Sequence, residues 1–249
     1  MKCFRCATWP CECADGITLI QGDATKLLPQ IESPIHAVIT DPPYSTGGAT
    51  PRERTSQSGR AKYQNSETSR RYPEFAGDHR DQRSYLAWCA LWLAECCRLA
   101  ADESPVAVWT DWRQLPTTTD AIQCAGWTWR GVGVWDKTEG ARPQKGRFRN
   151  QAEFVVWGSK GAMRTAGPTH AGVWRAATNA EPKLHLTAKP LSVMRHIVAI
   201  AADGGTILDP FAGAGTTLLA ARESGRRAIG IEMTAEYCAI AAKRLNEGR

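Results

Sequence analysis

No apolar run in the 249-residue sequence approaches the ~20 residues that a bilayer-spanning helix needs, which excludes such a helix. The stretch from Met1 to Cys6 lacks the apolar core of a secretion signal, so a cytoplasmic protein without disulfides is expected. Strong charge of either sign is also missing. A net charge of +6 permits a polyanionic partner without identifying one. Two phosphate-binding signatures fail at the one glycine-rich turn, "LDPFAGAGTTLLAA" (208–221). The dinucleotide fingerprint needs a third glycine where Leu218 stands, and a P-loop needs a lysine after Gly215 that is not there.

What is present suits an ordinary globular chain, with 43% hydrophobic and 22% charged residues, long enough for one large α/β domain or two small ones. Nine cysteines is an odd number. Five (Cys89, Cys96, Cys97, Cys124, Cys238) fall in apolar segments that read as buried. The other four, Cys3, Cys6, Cys11 and Cys13, form C-x2-C-x4-C-x-C in a Cys-rich segment, residues 1–16, ahead of the main domain, 17–249. Thiolates so close suit one structural zinc ion, with free cysteines as the alternative; no carboxylate–histidine set accompanies them, which argues against a catalytic metal.

Residues 45–80 hold seven Lys/Arg against four acids, and residues 137–149 hold five against one. Both read as loops, either solvated or contacting phosphates. Between them the chain alternates. Strands are predicted at "ITLIQ" (17–21), "HAVIT" (36–40), "PVAVW" (105–109), "GTILD" and "RAIGIE", with an antiparallel pair at "WTWRGVGVWD" and "AEFVVWG". Helices are predicted over 24–31, 84–100 (buried throughout), 114–124, 190–201, 213–223 and 234–245, with 159–185 irregular. Strands alternating with helices predict a mostly parallel sheet covered on both faces, with ligands at the strand carboxyl ends. Asp23, Asp41 and Asp209 follow or end three of those strands and are expected along one edge.

Gly213 and Gly215 allow a sharp turn and close approach of a ligand. Glu232 ends the next strand, where a carboxylate can bond both hydroxyls of a ribose. With Phe211 beside the turn and Asp23 across the edge, the pocket suits an adenosine without a phosphate chain, such as S-adenosylmethionine. In isolation the glycine segment also reads as a plain strand-to-helix turn.

"TDPPY" (40–44) and "LDPFAGAGTT" (208–217) together resemble the DNA amino-methyltransferases, in the order of the permuted β group. "LIQGDA" resembles that group's adenine-contacting strand end, and "HLTAKPLSVMRHIV" (185–198) its segment before the glycine loop. Leu186 and Ala188 depart from that pattern, while His185, Thr187, Lys189 and Pro190 keep it. The resemblance implies a Rossmann-like seven-stranded methyltransferase sheet with helices on both faces and the catalytic motif before the cofactor loop. It implies S-adenosylmethionine bound by Asp23, Lys189, Asp209, Phe211, Gly213, Gly215, Thr216 and Glu232, and catalysis by Asp41, Pro42, Pro43 and Tyr44. Double-stranded DNA is the implied partner, with loops 45–80 and 137–185 as target-recognition candidates; a homodimer and a cognate restriction enzyme are compatible with it.

The expected chemistry follows. Asp41 and the Pro42 carbonyl accept the two hydrogens of an exocyclic amine, the prolines fix that carbonyl, and Tyr44 stacks on a flipped base. The resemblance favours the N6 amine of adenine. The N4 amine of cytosine, an RNA amine and a non-catalytic nucleic-acid-binding module are the other readings.

Overall fold

The computed structural model describes residues 1–8, 11, 13–32, 34–45, 80–139, 141, 145–163, 167–178 and 189–247. In chain order the elements are β1 (Ile17–Gln21), α1 (Ala24–Leu27), β2 (Ala37–Thr40), α2 (Gln82–Leu99), β3 (Pro105–Thr110), α3 (Leu115–Cys124) and β4 (Thr128–Asp136). They continue with β5 (Ala152–Ser159), β6 (Val173–Arg175), α4 (Leu191–Val198), β7 (Thr206–Asp209), α5 (Thr216–Glu223), β8 (Arg227–Glu232) and α6 (Ala235–Glu247). One sheet holds all the strands in the order β1-β8-β7-β2-β3-β5-β4-β6. The first five are parallel, β5 runs antiparallel to both β3 and β4, and β6 runs parallel to β4.

The parallel strands read as nearly continuous apolar runs because helices cover both faces. Successive residues serve opposite cores. Ile17, Leu19, Ile39 and Trp109 pack with α4, α5 and α6, while Ile20, Val38, Val106 and Val108 pack with α2 and α3. The chain leaves β2 for α2 on one face and β7 for α5 on the other. Adjacent strands β2 and β7 therefore splay their connections apart at their carboxyl ends, leaving the crevice where such sheets bind ligands.

The expected sheet with helices on both faces is present, and among the described residues it carries eight strands rather than seven. The additional strand, β6, falls in the 159–185 segment expected to be irregular and follows the exposed edge of β4 through Val134, Trp135 and Asp136. Helix α2 is amphipathic rather than buried throughout. Tyr85, Cys89, Trp92, Cys96 and Leu99 face the core at helical spacing, whereas Leu91 is 68% exposed. Of the cysteines read as buried, Cys124 is exposed and Cys97 half-buried.

Helix ends differ from expectation for local reasons. Helix α5 starts at Thr216, not Gly213, because Gly213 and Gly215 are left-handed at φ +49° and +78°. Pro190 caps α4 from outside rather than sitting in its first turn. Helix α1 tightens into a 3-10 turn over Leu28–Gln30, with Pro29 inside it. Most of the 45–80 loop and residues 179–188, including His185 and Thr187, lie outside the described residues.

The antiparallel extension depends on one close approach. The register of β4 against β5 shifts between Trp129 and Gly131, and a Cβ on Gly158 would sit 2.4 Å from the Thr128 carbonyl oxygen. Gly158→Ala is expected to cost about 1–3 kcal/mol, because backbone on both sides must give way. Chemical denaturation with an unchanged urea slope would check this; wild-type stability would contradict the packing described.

Candidate active site

Four carboxylates gather at the carboxyl ends of β1, β8, β7 and β2, which are neighbours in the sheet, and all four line a cavity of about 450 Å³. Each does a different job.

Glu232, at the end of β8, braces the glycine turn. Its Oε2 accepts from the Gly213 amide at 3.0 Å and its Oε1 from the Thr234 amide at 2.8 Å. Burial raises its pKa, and those amides pull it back. Each oxygen retains acceptor capacity. The Gly215 turn presses on α6, where a Cβ would meet Ala241 Cβ at 3.0 Å. Asp23 caps α1 through Oδ1, which accepts from the Thr25 amide at 3.0 Å and the Thr25 hydroxyl at 2.7 Å. Phe211 forms an aromatic wall with Trp88 and Trp92, at ring separations of 5.3 and 5.1 Å, and the Arg80 guanidinium lies 4.2 Å over Trp88.

Asp209 is a strut. It is buried, and its Oδ1 accepts from the Thr40 hydroxyl at 2.7 Å and from the Phe211 amide at 3.1 Å. It thereby ties the last residue of β2 to the start of the glycine turn. Burial pushes its pKa to about 6, against the pull of Thr40, Thr217 and the Phe211 amide. Expected as a cofactor contact, it forms part of the cavity wall with that oxygen already committed to the protein. Thr216 is similarly engaged, accepting from Arg244 at 2.8 Å.

Asp41 follows β2 directly, at the crevice. Pro42 is buried, Pro43 and Tyr44 are half-buried, and Ser45 is buried in the left-handed region at φ +52°. A non-glycine residue held there carries strain. The Tyr44 hydroxyl donates to Asp41 Oδ1 at 2.8 Å, and Lys189 Nζ reaches Asp41 Oδ2 at 2.7 Å. Lys189 lines the same cavity. Read as a cofactor residue, it lies with its side chain 5% exposed between Asp41 and Glu153, 3.4 Å from the latter. Its ammonium also sits 5.0 Å from the Tyr44 ring centre and 5.3 Å from that of Trp109.

Glu153 and Lys137 complete this cluster, 3.3 Å apart, and neither was recognised from sequence. An acid inside the apolar run of β5 was the one available signal for Glu153. Lys137, one of the basic residues of 137–149, turns inward. The charges interlock: burial raises the Asp41 pKa, opposed by Lys189 and the Tyr44 hydroxyl. Burial also works against the charge of Glu153, yet Lys189 and Lys137 bring its pKa below the ordinary value. Burial opposes the charge of Lys189 too, and the two carboxylates nonetheless raise its pKa. The result is a carboxylate held beside an aromatic ring, within a fixed positive field, at the mouth of a cavity that leads to a glycine turn.

Comparison with known proteins agrees with this arrangement. The family model described as DNA methylase, of the N6/N4 type, matches residues 35–243. The Type II methyltransferase M.HinfI of Haemophilus influenzae is 26% identical over 254 residues, covering 92% of this chain and 68% of the relative. The crystal structure of an M1.HpyAVI–SAM complex matches with a TM-score of 0.67 at 23% identity, over 92% of this chain and 99% of that one. The cytosine-N4-specific PvuII DNA methyltransferase matches with a TM-score of 0.68 at 16% identity, over 92% and 86%.

Removing Lys189 tests the electrostatic account. In Lys189→Met, Asp41 and Glu153 face each other with their shared cation gone, and an expected cost of about 3–5 kcal/mol follows at neutral pH. The pKa values of both acids rise in the folded variant, so its deficit relative to wild type should shrink as pH falls toward about 4. Denaturation curves across that range check the sign; a deficit independent of pH would contradict it.

Proposed function

The chain belongs to the N6/N4 DNA methylase family, and from that premise we propose that it transfers a methyl group from S-adenosylmethionine to the N6 amine of adenine in double-stranded DNA. The observation that carries the reading is that Asp41-Pro42-Pro43-Tyr44 and the Gly213–Glu232 turn open into one cavity, from adjacent ends of β2, β7 and β8.

The cavity fits the cofactor's chemistry. Glu232 suits the ribose hydroxyls, Asp23 and the Phe211 wall suit the adenine, and the close turn at Gly213 and Gly215 leaves room for the chain near them. When bound, S-adenosylmethionine supplies an activated methyl group. The protein's task is then to make a poor nucleophile competent. An aromatic amine delocalises its lone pair into the ring, and two acceptors on its hydrogens draw that pair back to nitrogen. Asp41 Oδ1, which keeps a lone pair beyond its bond to Tyr44, accepts one hydrogen, and the Pro42 carbonyl accepts the other. Lys189 fixes the carboxylate through Oδ2, so the remaining lone pair of Oδ1 has one direction. Tyr44 stacks against the extruded base. The proton released on methylation passes to Asp41, whose burial makes it a better acceptor than a surface carboxylate.

Adenine is favoured because Asp-Pro-Pro-Tyr resembles the adenine enzymes and Ser-Pro-Pro-Tyr the cytosine ones. The fold does not discriminate, since an N4-specific enzyme is among its structural matches. A duplex partner is supported by the β4–β5 loop, where Phe148 is 98% exposed amid Lys145, Arg147 and Arg149. Cations for phosphates around an exposed ring suit a surface that meets unstacked DNA.

The test is methylation of duplex DNA with labelled cofactor, followed by digestion to nucleosides. N6-methyladenine is expected; N4-methylcytosine would overturn the choice of base, and labelled RNA alone the choice of nucleic acid. Asp41→Ala should reduce turnover about 10³-fold while calorimetry shows cofactor affinity retained, since Glu153 still pairs Lys189. Gly213→Val should do the opposite and lose cofactor binding. Wild-type rate should fall on the acid side with a midpoint above the ordinary 3.8 of an aspartate, as the accepting carboxylate takes up a proton.

A further inference from the structure

The methylase chemistry leaves one constellation unused. Cys3, Cys6, Cys11 and Cys13 converge in the structure, with all four sulfur atoms within 4.8 Å of one another. Cys11 is central, 3.3 Å from Cys3 and 3.6 Å from Cys6. Four sulfurs around a tetrahedral zinc at about 2.3 Å stand about 3.8 Å apart, so the cluster is already close to that size. The Cys13 amide donates to Cys11 Sγ at 3.4 Å.

A second, independent observation concerns what holds this segment in place. Among the described apolar residues of 1–16, Cys3 alone is fully buried, with Met1 partly buried against the core. So little apolar surface cannot offset the entropy of ordering the chain. The segment is nonetheless fixed against the sheet. Cys3 bridges to Ile20 in antiparallel fashion, and the Phe4 amide donates to the Leu19 carbonyl, so the N-terminus occupies the outer edge of β1. Arg5, its side chain 3% exposed, donates to both oxygens of Asp15, to the Ile17 carbonyl and to Asn246 at the end of α6. Arg5 directly precedes Cys6 in the chain. A zinc ion with four thiolates carries a net charge of −2, and a buried guanidinium beside it offsets part of that.

We propose that Cys3, Cys6, Cys11 and Cys13 bind one structural zinc ion, which clips the N-terminal segment over the open edge of β1. The site is closed, with four protein ligands and no position for a substrate. Its role is mechanical. An unpaired edge strand invites pairing with other chains, and the clip covers it. It also steadies the strand that leads into the cavity, because β1 is followed by Gly22, whose amide donates to the Glu232 carbonyl at 2.9 Å, and then by Asp23.

The experiment is metal analysis of the full chain, purified without a histidine tag. About one zinc per chain is expected, and growth with cobalt should give the visible absorption of a tetrahedral thiolate site. Cys6→Ser and Cys13→Ser should lower zinc content at least about tenfold, whereas Cys124→Ser, at the exposed end of α3, should leave it unchanged. Stripping the metal with a mercurial and chelator should lower the thermal midpoint and expose four further thiols to reagent. Folded, metal-free protein whose four N-terminal thiols all react at once would overturn the proposal, as would a mass showing them joined in disulfides. These readouts stand apart from methyl transfer, so failure here leaves the catalytic reading untouched.

Discussion

The contact between Lys189 and Asp41 is the interaction on which the proposed chemistry of the site depends. A carboxylate at the edge of a dry cavity tends to take up a proton, and a protonated Asp41 loses the acceptor capacity that an amine requires. Lys189 opposes that tendency, but a buried lysine needs its own support. Glu153 supplies it, Lys137 supports Glu153 in turn, and the rings of Tyr44 and Trp109 flank the ammonium. Removing Lys189 leaves Asp41 without a cation, whereas Lys189 and Glu153 each have a second partner. The network is thus less a source of stability than a means of holding one group in one state.

The sheet topology explains why these charges meet. Five parallel strands end along one line, and the chain departs from β2 and β7 to opposite faces. The strand-end acids then divide the work by their immediate partners. Glu232 spends its bonds on amides of the glycine turn, Asp209 spends its own on joining β2 to that turn, and Asp41 meets a lysine and a phenol. Chemically similar residues acquire different roles because their surroundings differ.

Much of this was legible in the sequence where the information is local. Apolar runs marked the parallel strands, and Gly213 and Gly215 marked the turn, although they delayed the start of α5 by being left-handed. The four cysteines drew attention by spacing alone. Less legible were features set by neighbours in space. Strand β6 is too short to show a pattern and exists because β4 offers it an edge. Leu91 of α2 looked like core and instead borders the cavity.

The sequence by itself determined the chemical inventory: a carboxylate, two prolines and a ring in four consecutive residues, and a glycine turn followed by an acid at the next strand end. Contiguity is enough for such motifs, since the backbone alone fixes the distances within them. Only the tertiary structure decided that Lys189, 148 residues from Asp41, lines the same cavity and pairs with that carboxylate. It likewise brought Glu153 and Lys137 beside Lys189 from the antiparallel extension of the sheet. Those meetings are set by strand order and register, which arise from burying both faces of the sheet at once. No single stretch of the chain encodes them.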